Sequence, residues 1–350
     1  MSADLPTQPA SVVPGLLAQL MARQNLTREQ ARAAMEEILS GAATAPQIGA
    51  FIVALRMKGE VAEEVIGLAQ AVRSRAAPVR PRNHDALVDT CGTGGDASGT
   101  FNISTATAFV AAGCGVRIAK HCNRSISSRT GGADVVEGLG ININLSPERM
   151  AACIDEVGIA FLFAPLLHSA WKYAQPVRRE LRVRTVFNML GPICNPANAS
   201  MQVAGVYEKR LVRLVAHALA ELGLKRGFVV HGSDGLDEIT TTGETEIAEV
   251  REGKVRLFAL CPEEVGLPRC KPEDLLGGDV AQNVRILLEI LEGSKGPKRD
   301  IVLLNSAAAL VAAGKAADFA EGVRQAADSI DTGAARRRLV QLTEFTNQPS

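Results

Sequence analysis

The chain has 350 residues, 47% of them hydrophobic, which is enough to bury the cores of one large and one smaller domain. Lys and Arg together number 38, and Asp and Glu together number 38, so the formal net charge is zero. Binding to nucleic acid or to an anionic membrane usually requires an extended field of one sign, so the composition argues against both. We therefore expect any anionic ligand to be captured by a local group of residues.

Seven cysteines are distributed along the chain without a CxxC pair. Such a set fits neither a disulfide framework nor a structural zinc site, and it indicates a protein of the reducing cytoplasm. Residues 1–13 contain Asp4, Pro6 and Pro9 and lack both a basic start and a long apolar run. We predict a disordered extension there rather than a signal or transit peptide.

After this extension, apolar residues recur at the three-to-four-residue spacing of amphipathic helices. The clearest positions are Leu16, Leu20, Met35, Ile38, Ile48, Ile52, Leu55, Val65, Leu68 and Val72. Thr27 followed by Gln30, and Gly41 after Ser40, are typical helix caps. The pattern predicts a small helical domain over residues 14–76.

A different rhythm begins after Pro78 and Pro81, which interrupt the helical periodicity. Short apolar runs that suit strands then alternate with helical stretches. The predicted strands are residues 86–90, 116–120, 159–163, 202–206 and 227–230, and the predicted helices between them include residues 105–112 and 211–222. This alternation is typical of an α/β domain with a mostly parallel central sheet and flanking helices, which we assign to residues 82–345.

A glycine-rich turn, Gly92-Thr-Gly-Gly-Asp96, follows the first predicted strand, and Asn102 and Ser104 come at the start of the next helix. Glycines let backbone N–H groups point into one concavity, and a helix N-terminus adds its positive dipole end. The pair predicts a cradle for a phosphorylated ligand. The spacing matches neither GxGxxG nor the nucleotide phosphate loop, which argues against a dinucleotide or nucleoside triphosphate enzyme. A tight turn with ordinary helix caps is the alternative.

Two further segments carry charge at predicted strand ends. Residues 120–134 combine Lys120 and Arg124 with hydroxyls and glycines, at the sheet edge where ligands of α/β proteins collect. Asp237 and Glu238 follow a later strand, and in a loop both carboxylates can reach a hard cation such as magnesium. The alternatives are a solvated basic loop and a solvated acidic turn.

The order of these motifs is similar to that of the anthranilate phosphoribosyltransferases, over nearly the whole chain after residue 14. The resembling blocks are GTGGD (92–96), NIST (102–105), KHCNRSISS (120–128), residues 168–184, RTVFNMLGPICNP (184–196) and HGSDGLDE (231–238). The resemblance implies a helical domain, joined by a helical segment near residues 168–190, and an α/β domain. It also implies an active site in the cleft between the domains and a homodimer built mainly through helices.

By matching positions, the resemblance implies three sets of site residues and no residue that acts as acid, base or nucleophile. Phosphoribosyl pyrophosphate would be bound by Gly92, Gly95, Asp96, Thr100, Asn102, Ile103, Ser104, Thr105, Lys120, Asn123, Arg124 and Ser128. Two magnesium ions would be held by Ser104, Asp237 and Glu238. Anthranilate would be bound by Gly92, Asn123, His168, Arg178 and Pro192.

The residue types at the implied acceptor site suit an aromatic acid. A guanidinium such as that of Arg178 matches the two oxygens of a carboxylate with two parallel N–H bonds. Pairing of Arg178 or Arg179 with Glu180 is the alternative, since surface arginines often form such pairs. His168, beside Trp171, could likewise be a packed or capping histidine.

The implied reaction, a step of tryptophan biosynthesis, displaces pyrophosphate from the anomeric carbon of the ribose. Positive charge develops on the ring and negative charge on the leaving group, so metal ions and N–H donors at the leaving group are the main catalytic elements. The aryl amine of anthranilate is neutral at pH 7 and requires placement more than a strong base. This agrees with the absence of a Ser/His/Asp or Cys/His constellation.

Three positions depart from the family pattern. Cys122 and Arg182 stand where glycine is expected, and Gly132 stands where a serine often follows Gly131. We expect Cys122 to matter most: if the family loop requires positive φ there, a side chain costs on the order of 1 kcal/mol and alters the anthranilate path. We expect Gly132 to lose a hydroxyl contact and Arg182 to add charge, which affects binding strength more than reaction type.

Three other functions compete with this interpretation. A pyrimidine nucleoside phosphorylase would have a similar helical domain and phosphate turn, but phosphorolysis leaves no pyrophosphate for the Asp237-Glu238 pair to chelate through metal. A relative that has lost the anthranilate reaction would not need Arg178 and Asn123. A non-catalytic module that binds a phosphorylated ligand would need neither the metal pair nor an acceptor site.

Overall fold

The structure, a computed structural model, describes residues 11–82, 84–96, 98–124 and 130–349. The α-helices are α1 (Val12–Met21), α2 (Arg28–Ser40), α3 (Ala45–Lys58), α4 (Ala62–Arg75), α5 (Ile103–Gly113), α6 (Gly132–Gly138), α7 (Pro147–Glu156), α8 (Ala164–Leu167), α9 (Gln175–Leu181), α10 (Val186–Ile193), α11 (Arg210–Glu221), α12 (Val280–Leu291), α13 (Pro297–Ala312), α14 (Phe319–Asp331) and α15 (Ala334–Asn347). The strands are β1 (Leu87–Asp89), β2 (Arg117–Cys122), β3 (Ile159–Phe163), β4 (Met201–Gly205), β5 (Arg226–Gly232), β6 (Thr245–Arg251) and β7 (Lys254–Leu260).

The chain divides into two compact units. Unit 1 contains the chain up to Arg75 together with Ser169–Phe187, and unit 2 contains Ala76–His168 and the chain from Asn188 onwards. The predicted fold class, a small helical domain plus a larger α/β domain, is confirmed. Helix α1 begins at Val12 rather than at residue 14, and residues 1–10 of the predicted extension lie outside the described residues.

Unit 1 is a helical bundle in which α2 and α4 pack closely. The side-chain oxygen of Thr27 accepts a hydrogen bond from the N–H of Gln30, and Gly41 ends α2 at φ 79°, so both predicted caps are confirmed. A Cβ atom at Gly67 of α4 would lie 2.2 Å from the carbonyl oxygen of Arg28. The two helices therefore approach so closely that only glycine fits at this point.

Unit 2 is built on a seven-stranded sheet with the order β3-β2-β1-β4-β5-β6-β7. The pairs among β1 to β5 are all parallel, and β6 and β7 extend the sheet with antiparallel pairing. The five strands predicted from sequence coincide with β1 to β5 within a few residues. The sequence pattern does not predict the antiparallel extension.

The position of β1 determines where ligands can bind in unit 2. This strand pairs with β2 on one side and with β4 on the other, so the direction of strand order changes beside it. At such a switch point the loops after the two neighbouring strands run to opposite sides, which leaves a crevice at the carboxyl ends of the strands. Open α/β sheets bind their ligands in that crevice. The buried helices α5 and α13 pack against each other in the same unit.

No helix within the described ranges is long and apolar enough to cross a lipid bilayer.

Cys122 does not have the positive φ considered for it, and of the two glycine-replacing positions it is Arg182 that is left-handed. Cys122 is the last residue of β2, pairs with Phe163 of β3, and is absent from the set of residues with positive φ. Arg182 follows α9 in the left-handed conformation, with φ 51° and ψ 28°, and its N–H bonds to the carbonyl oxygen of Arg178. Glycine is favoured at this position after a helix because it has no Cβ to strain.

We predict that Arg182→Gly stabilises the protein. Removing the left-handed strain stabilises the folded state by about 1–2 kcal/mol. The greater freedom of glycine in the unfolded chain cancels about 0.5–1 kcal/mol of that gain. Thermal unfolding followed by circular dichroism should therefore show a small rise in Tm. Arg179→Gly, which changes the same residue type inside α9, is the matched control and should lower the Tm. A fall of equal size in both variants would contradict the assignment.

Candidate active site

The glycine-rich turn after β1 (residues 92–96) contacts the turn after β5 that carries Asp237 and Glu238, here called the acidic turn. Gly94 and Gly95 have φ values of 64° and 72°, which only glycine adopts freely. The N–H of Gly94 donates a 2.6 Å hydrogen bond to Oδ2 of Asp237. A Cβ atom at Gly92 would lie 2.8 Å from the same carboxylate oxygen. The two motifs predicted separately from sequence therefore form one site.

A fourth glycine, not identified from sequence, allows this meeting. Gly205 is the last residue of β4, and its carbonyl oxygen accepts a 2.9 Å hydrogen bond from the N–H of Thr93. A Cβ atom at Gly205 would lie 1.5 Å from the carbonyl oxygen of Asp237. Backbone passes directly over backbone at this point, so the strand must end in glycine.

The carboxylates of Asp237 and Glu238 are close enough to Asp96 and to each other for their charges to interact. Burial raises the pKa of Asp237 to about 7, the nearby charge of Asp96 also acts to raise it, and the Gly94 N–H opposes the shift. Burial, and next the charge of Asp237, raise the pKa of Glu238 well above its usual range. Carboxylates that disfavour one another's charge in this way would be stabilised by a bound cation.

A buried cation lies beneath the acids. Lys120 of β2 is 3% exposed, and its Nζ donates hydrogen bonds to the carbonyl oxygen of Thr90 at 2.7 Å and to Oγ of Ser104 at 3.1 Å. Its charge and a hydrogen bond from the backbone N–H of Ser104 both oppose the rise in the pKa of Glu238. Lys120 thereby connects the end of β2 with the start of α5 and with the acidic turn.

Asp89, which sequence reasoning used only as the start of a motif, anchors the ends of β1 and β2. Its Oδ1 accepts from the N–H of His121 at 3.1 Å, and its Oδ2 accepts from Nδ2 of Asn195 at 2.7 Å. Burial raises the pKa of Asp89 to about 6, against the opposing charge of Lys120. The residue holds the strand ends together and is fully buried.

Asn305 of α13 holds the acidic turn from below and was also missed. Its Oδ1 accepts from the N–H of Ile239 at 2.9 Å, and its Nδ2 donates to the carbonyl oxygens of Ile239 and Ile301, both at 2.9 Å. Ile239 directly follows Glu238. No local pattern could have predicted this contact, because 66 residues separate Asn305 from Ile239.

The remaining residues predicted to bind phosphoribosyl pyrophosphate lie along the start of α5. Thr100 forms an isolated antiparallel bridge with Leu276, and Asn102 precedes α5. Ile103 and Thr105 are buried, and their N–H groups bond to the carbonyl oxygens of Phe101 and Asn102 respectively. Ser128 lies outside the described residues.

Asn123 and Arg124 follow β2, and both already have protein partners. Oδ1 of Asn123 accepts from the N–H of Arg124 at 2.8 Å. The Arg124 guanidinium binds Asp134 at 3.0 Å and Glu137 at 2.5 Å, and it lies over the Phe163 ring at 5.4 Å from the centroid. A phosphate group at Arg124 would have to compete with two carboxylates.

Two buried histidines lie side by side in unit 2. The rings of His121 and His168 are 5.0 Å apart at their centroids, and Nδ1 of His121 is 2.9 Å from the carbonyl oxygen of Gly191. Burial lowers the pKa of His121 to about 4 and that of His168 to about 3, so both rings are neutral at pH 7. Pro192, in the last turn of α10, accepts a 2.7 Å hydrogen bond from Nε2 of Gln202.

Arg178 lies among aromatic rings in unit 1. Its guanidinium carbon is 5.1 Å from the Phe187 ring centroid and 5.8 Å from that of Trp171. Within the described part of the chain Arg178 forms no ion pair, so the alternative of pairing with Glu180 is wrong. Burial lowers the pKa of Arg178 to about 10, which still leaves the group charged at pH 7.

The donor set at the acidic turn suits a hard divalent cation. Carboxylate and hydroxyl oxygens are the ligands that magnesium prefers, and it usually completes its shell with water and substrate phosphates. Among the described residues, no three His, Cys, Asp or Glu side chains converge as a complete metal site. A cation bound here would therefore share its coordination with a ligand.

Comparison with known proteins covers both units. The model described as "Glycosyl transferase family, helical bundle domain" matches residues 14–76, and that described as "Glycosyl transferase family, a/b domain" matches residues 84–336. An anthranilate phosphoribosyltransferase of Geotalea uraniireducens is 50% identical over 345 residues, which cover 95% of this chain and 99% of that protein.

Solved structures agree with the sequence relatives. The crystal structure of anthranilate phosphoribosyltransferase from Thermus thermophilus superposes with a TM-score of 0.90 at 40% identity, covering 95% of this chain and 99% of that one. The enzyme from Saccharomyces cerevisiae in complex with PRPP and Mg has a TM-score of 0.88 at 26% identity, covering 97% and 98%. The yeast enzyme in complex with 4-fluoroanthranilate has a TM-score of 0.84 at 28% identity, covering 95% and 97%.

We predict that Gly92→Ala weakens binding of phosphoribosyl pyrophosphate in the presence of magnesium at least tenfold by calorimetry. Gly92 does not have positive φ, so the backbone accepts alanine, but the new Cβ displaces the Asp237 carboxylate. Gly15→Ala is the matched control, because a Cβ there meets no atom within 4 Å. Unchanged affinity in Gly92→Ala would show that the position of Asp237 does not matter to the ligand.

Proposed function

This chain belongs to the anthranilate phosphoribosyltransferase family, and from that premise we propose how its residues carry out the reaction. The enzyme transfers the phosphoribosyl group of phosphoribosyl pyrophosphate to the amine of anthranilate and releases pyrophosphate, in tryptophan biosynthesis. One observation carries the assignment of residues: the N–H of Gly94 lies 2.6 Å from the Asp237 carboxylate. The diphosphate cradle and the cation-binding acids are thus parts of one site.

The phosphoribosyl pyrophosphate site is formed by the turn after β1 and the start of α5. The proposed ligands are Gly92, Gly95, Asp96, Thr100, Asn102, Ser104 and Lys120, with Ile103 and Thr105 holding the helix start and with Asn123, Arg124 and Ser128 closing the site. Support comes from the positive φ of Gly94 and Gly95, the backbone geometry of a tight glycine turn between β1 and α5. The Lys120 ammonium adds a fixed positive charge beneath the cradle.

Ser104, Asp237 and Glu238 are the proposed holders of two magnesium ions. The raised pKa values of Asp237 and Glu238, caused first by burial and next by a neighbouring acid, support this role, since a bound cation stabilises the charged carboxylates. When bound, magnesium neutralises the charge that develops on the departing pyrophosphate. Asn305 keeps the turn in place through Ile239, so the acids need not reorganise during the reaction.

The acceptor site orients a neutral amine and does not deprotonate it. Arg178 is the proposed partner of the anthranilate carboxylate, and its aromatic surroundings exclude water from that pair. Gly92, Asn123, His168 and Pro192 are the other proposed contacts. The neutral state of His168 supports a packing role against the aromatic acceptor, because a ring with a pKa of about 3 carries no positive charge at pH 7 and is a poor general acid.

We also propose a homodimer in the cytoplasm. The resemblance and two exposed methionines of unit 1, Met21 at 79% and Met57 at 74%, support the dimer. All seven cysteines are free thiols, which supports a reducing compartment.

We predict that Asp237→Asn combined with Glu238→Gln lowers kcat more than about 100-fold. The assay follows the loss of anthranilate fluorescence with phosphoribosyl pyrophosphate and magnesium. The double variant Glu263→Gln with Glu264→Gln removes an adjacent acid pair elsewhere and should retain full activity. Tight binding of phosphoribosyl pyrophosphate by the parent without turnover would favour a binding module instead, and turnover only with phosphate and nucleoside would favour a phosphorylase.

We predict that Arg178→Ala raises the KM for anthranilate about 10- to 100-fold, the range expected when a charged hydrogen bond is lost. The KM for phosphoribosyl pyrophosphate should change less than about twofold in steady-state kinetics. Arg179→Ala, which removes the exposed neighbouring arginine of α9, is the matched control. Equal effects of Arg178→Ala on both KM values would place carboxylate recognition elsewhere.

A further inference from the structure

A hydrogen-bond relay runs from α12 to the start of α5. Asn283 of α12 is 3% exposed, and its Oδ1 accepts a 2.8 Å hydrogen bond from the N–H of Gly278. Its Nδ2 donates a 3.0 Å hydrogen bond to Oδ1 of Asn102. The relay therefore connects the Gly278 N–H to the side chain of Asn102, which is proposed to bind phosphoribosyl pyrophosphate.

The direction of this relay is fixed by its first member. The N–H of Gly278 can only donate, so the atom of Asn283 that faces it must be the oxygen. The other end of the Asn283 amide is then the NH₂ group, and Asn102 must turn its own oxygen toward that donor. The Asn102 NH₂ group points away from Asn283, and its contact with the carbonyl oxygen of Thr130 is long, at 3.4 Å.

We propose that Asn283 is a positioning residue that makes Asn102 present its NH₂ group, and not its oxygen, to phosphoribosyl pyrophosphate. The proposal rests on the proposed function, because Asn102 is a ligand only if this substrate binds along the start of α5. An amide NH₂ donates to an anion, whereas an amide oxygen in the same place repels it. If the Asn102 amide were reversed, its oxygen would face the phosphate oxygens, and repulsion would replace the hydrogen bond.

The backbone around Asn283 holds the relay in place. The N–H of Gly277 donates to the carbonyl oxygen of Gly99 at 2.9 Å, and Oγ1 of Thr130 donates to that of Gly278 at 2.9 Å. A Cβ atom at Gly277 would lie 2.7 Å from the backbone N of Phe101 and 2.5 Å from Oδ1 of Asn283. The segment before α12 thus lies directly against the turn that leads into α5.

Asn283→Asp tests the proposal in the full-length enzyme. The carboxylate keeps the shape and still accepts from Gly278, but it places a second oxygen against Asn102, which must then reverse its amide. We expect calorimetry to show a loss of at least tenfold in affinity for phosphoribosyl pyrophosphate. We also expect the KM for this substrate to rise far more than kcat falls. Gln282→Glu, which puts the same charge on the exposed neighbouring residue, should change the affinity less than about twofold.

A double-mutant cycle separates positioning from a general effect of charge or stability. In an Asn102→Ala background, Asn283→Asp should weaken binding less than about twofold, because the group it acts through is absent. Equal losses in both backgrounds, or no loss in the parent background, would overturn the proposal. If Asn283→Asp does not fold, the same cycle is measured with the uncharged Asn283→Ala, and the same two outcomes support or overturn the proposal. Failure of the parent enzyme to bind phosphoribosyl pyrophosphate would instead refute the proposed function.

Discussion

The whole site depends on one close approach of backbone to backbone, at the end of β4. Gly205 has no side chain between its Cα and the carbonyl oxygen of Asp237, where a Cβ would lie only 1.5 Å away. Because that space is empty, the acidic turn after β5 reaches across β4 to the glycine-rich turn after β1, and Gly94 bonds to Asp237. Any side chain at residue 205 would push the acids away from the cradle and leave two separate loops.

Electrostatics then explains how a protein with zero net charge binds a highly charged substrate. The positive elements are local: the backbone N–H of Gly94 faces the Asp237 carboxylate, and the Lys120 ammonium is buried close to Glu238. The negative elements are Asp96, Asp237 and Glu238: after burial, the charge of Asp96 raises the pKa of Asp237, and the charge of Asp237 raises that of Glu238. Charges of both signs are thus concentrated within one crevice of unit 2, and the rest of the surface need not carry a field.

Much of the fold and part of the site could be predicted because their signals are local. The strands β1 to β5 show as apolar runs, and the chemistry-bearing motifs directly follow them. Gly205, Asn283 and Asn305 carried no such signal, since their importance comes from contacts with residues far away in sequence. Arg182 and Cys122 both stand where the family has glycine, and the sequence does not distinguish them. Their backbones do, since Arg182 has φ 51° and Cys122 lies in an ordinary strand.

The contacts of Asn305 also have a mechanical meaning. Its amide offers Ile239 one acceptor and one donor, which is the pair of bonds that a neighbouring strand would supply in a sheet. A side chain of α13 thus imitates a missing strand under the acidic turn. A turn bonded in this way is connected directly to a core helix. The backbone directly after the two acids is therefore held by a side chain from a buried helix.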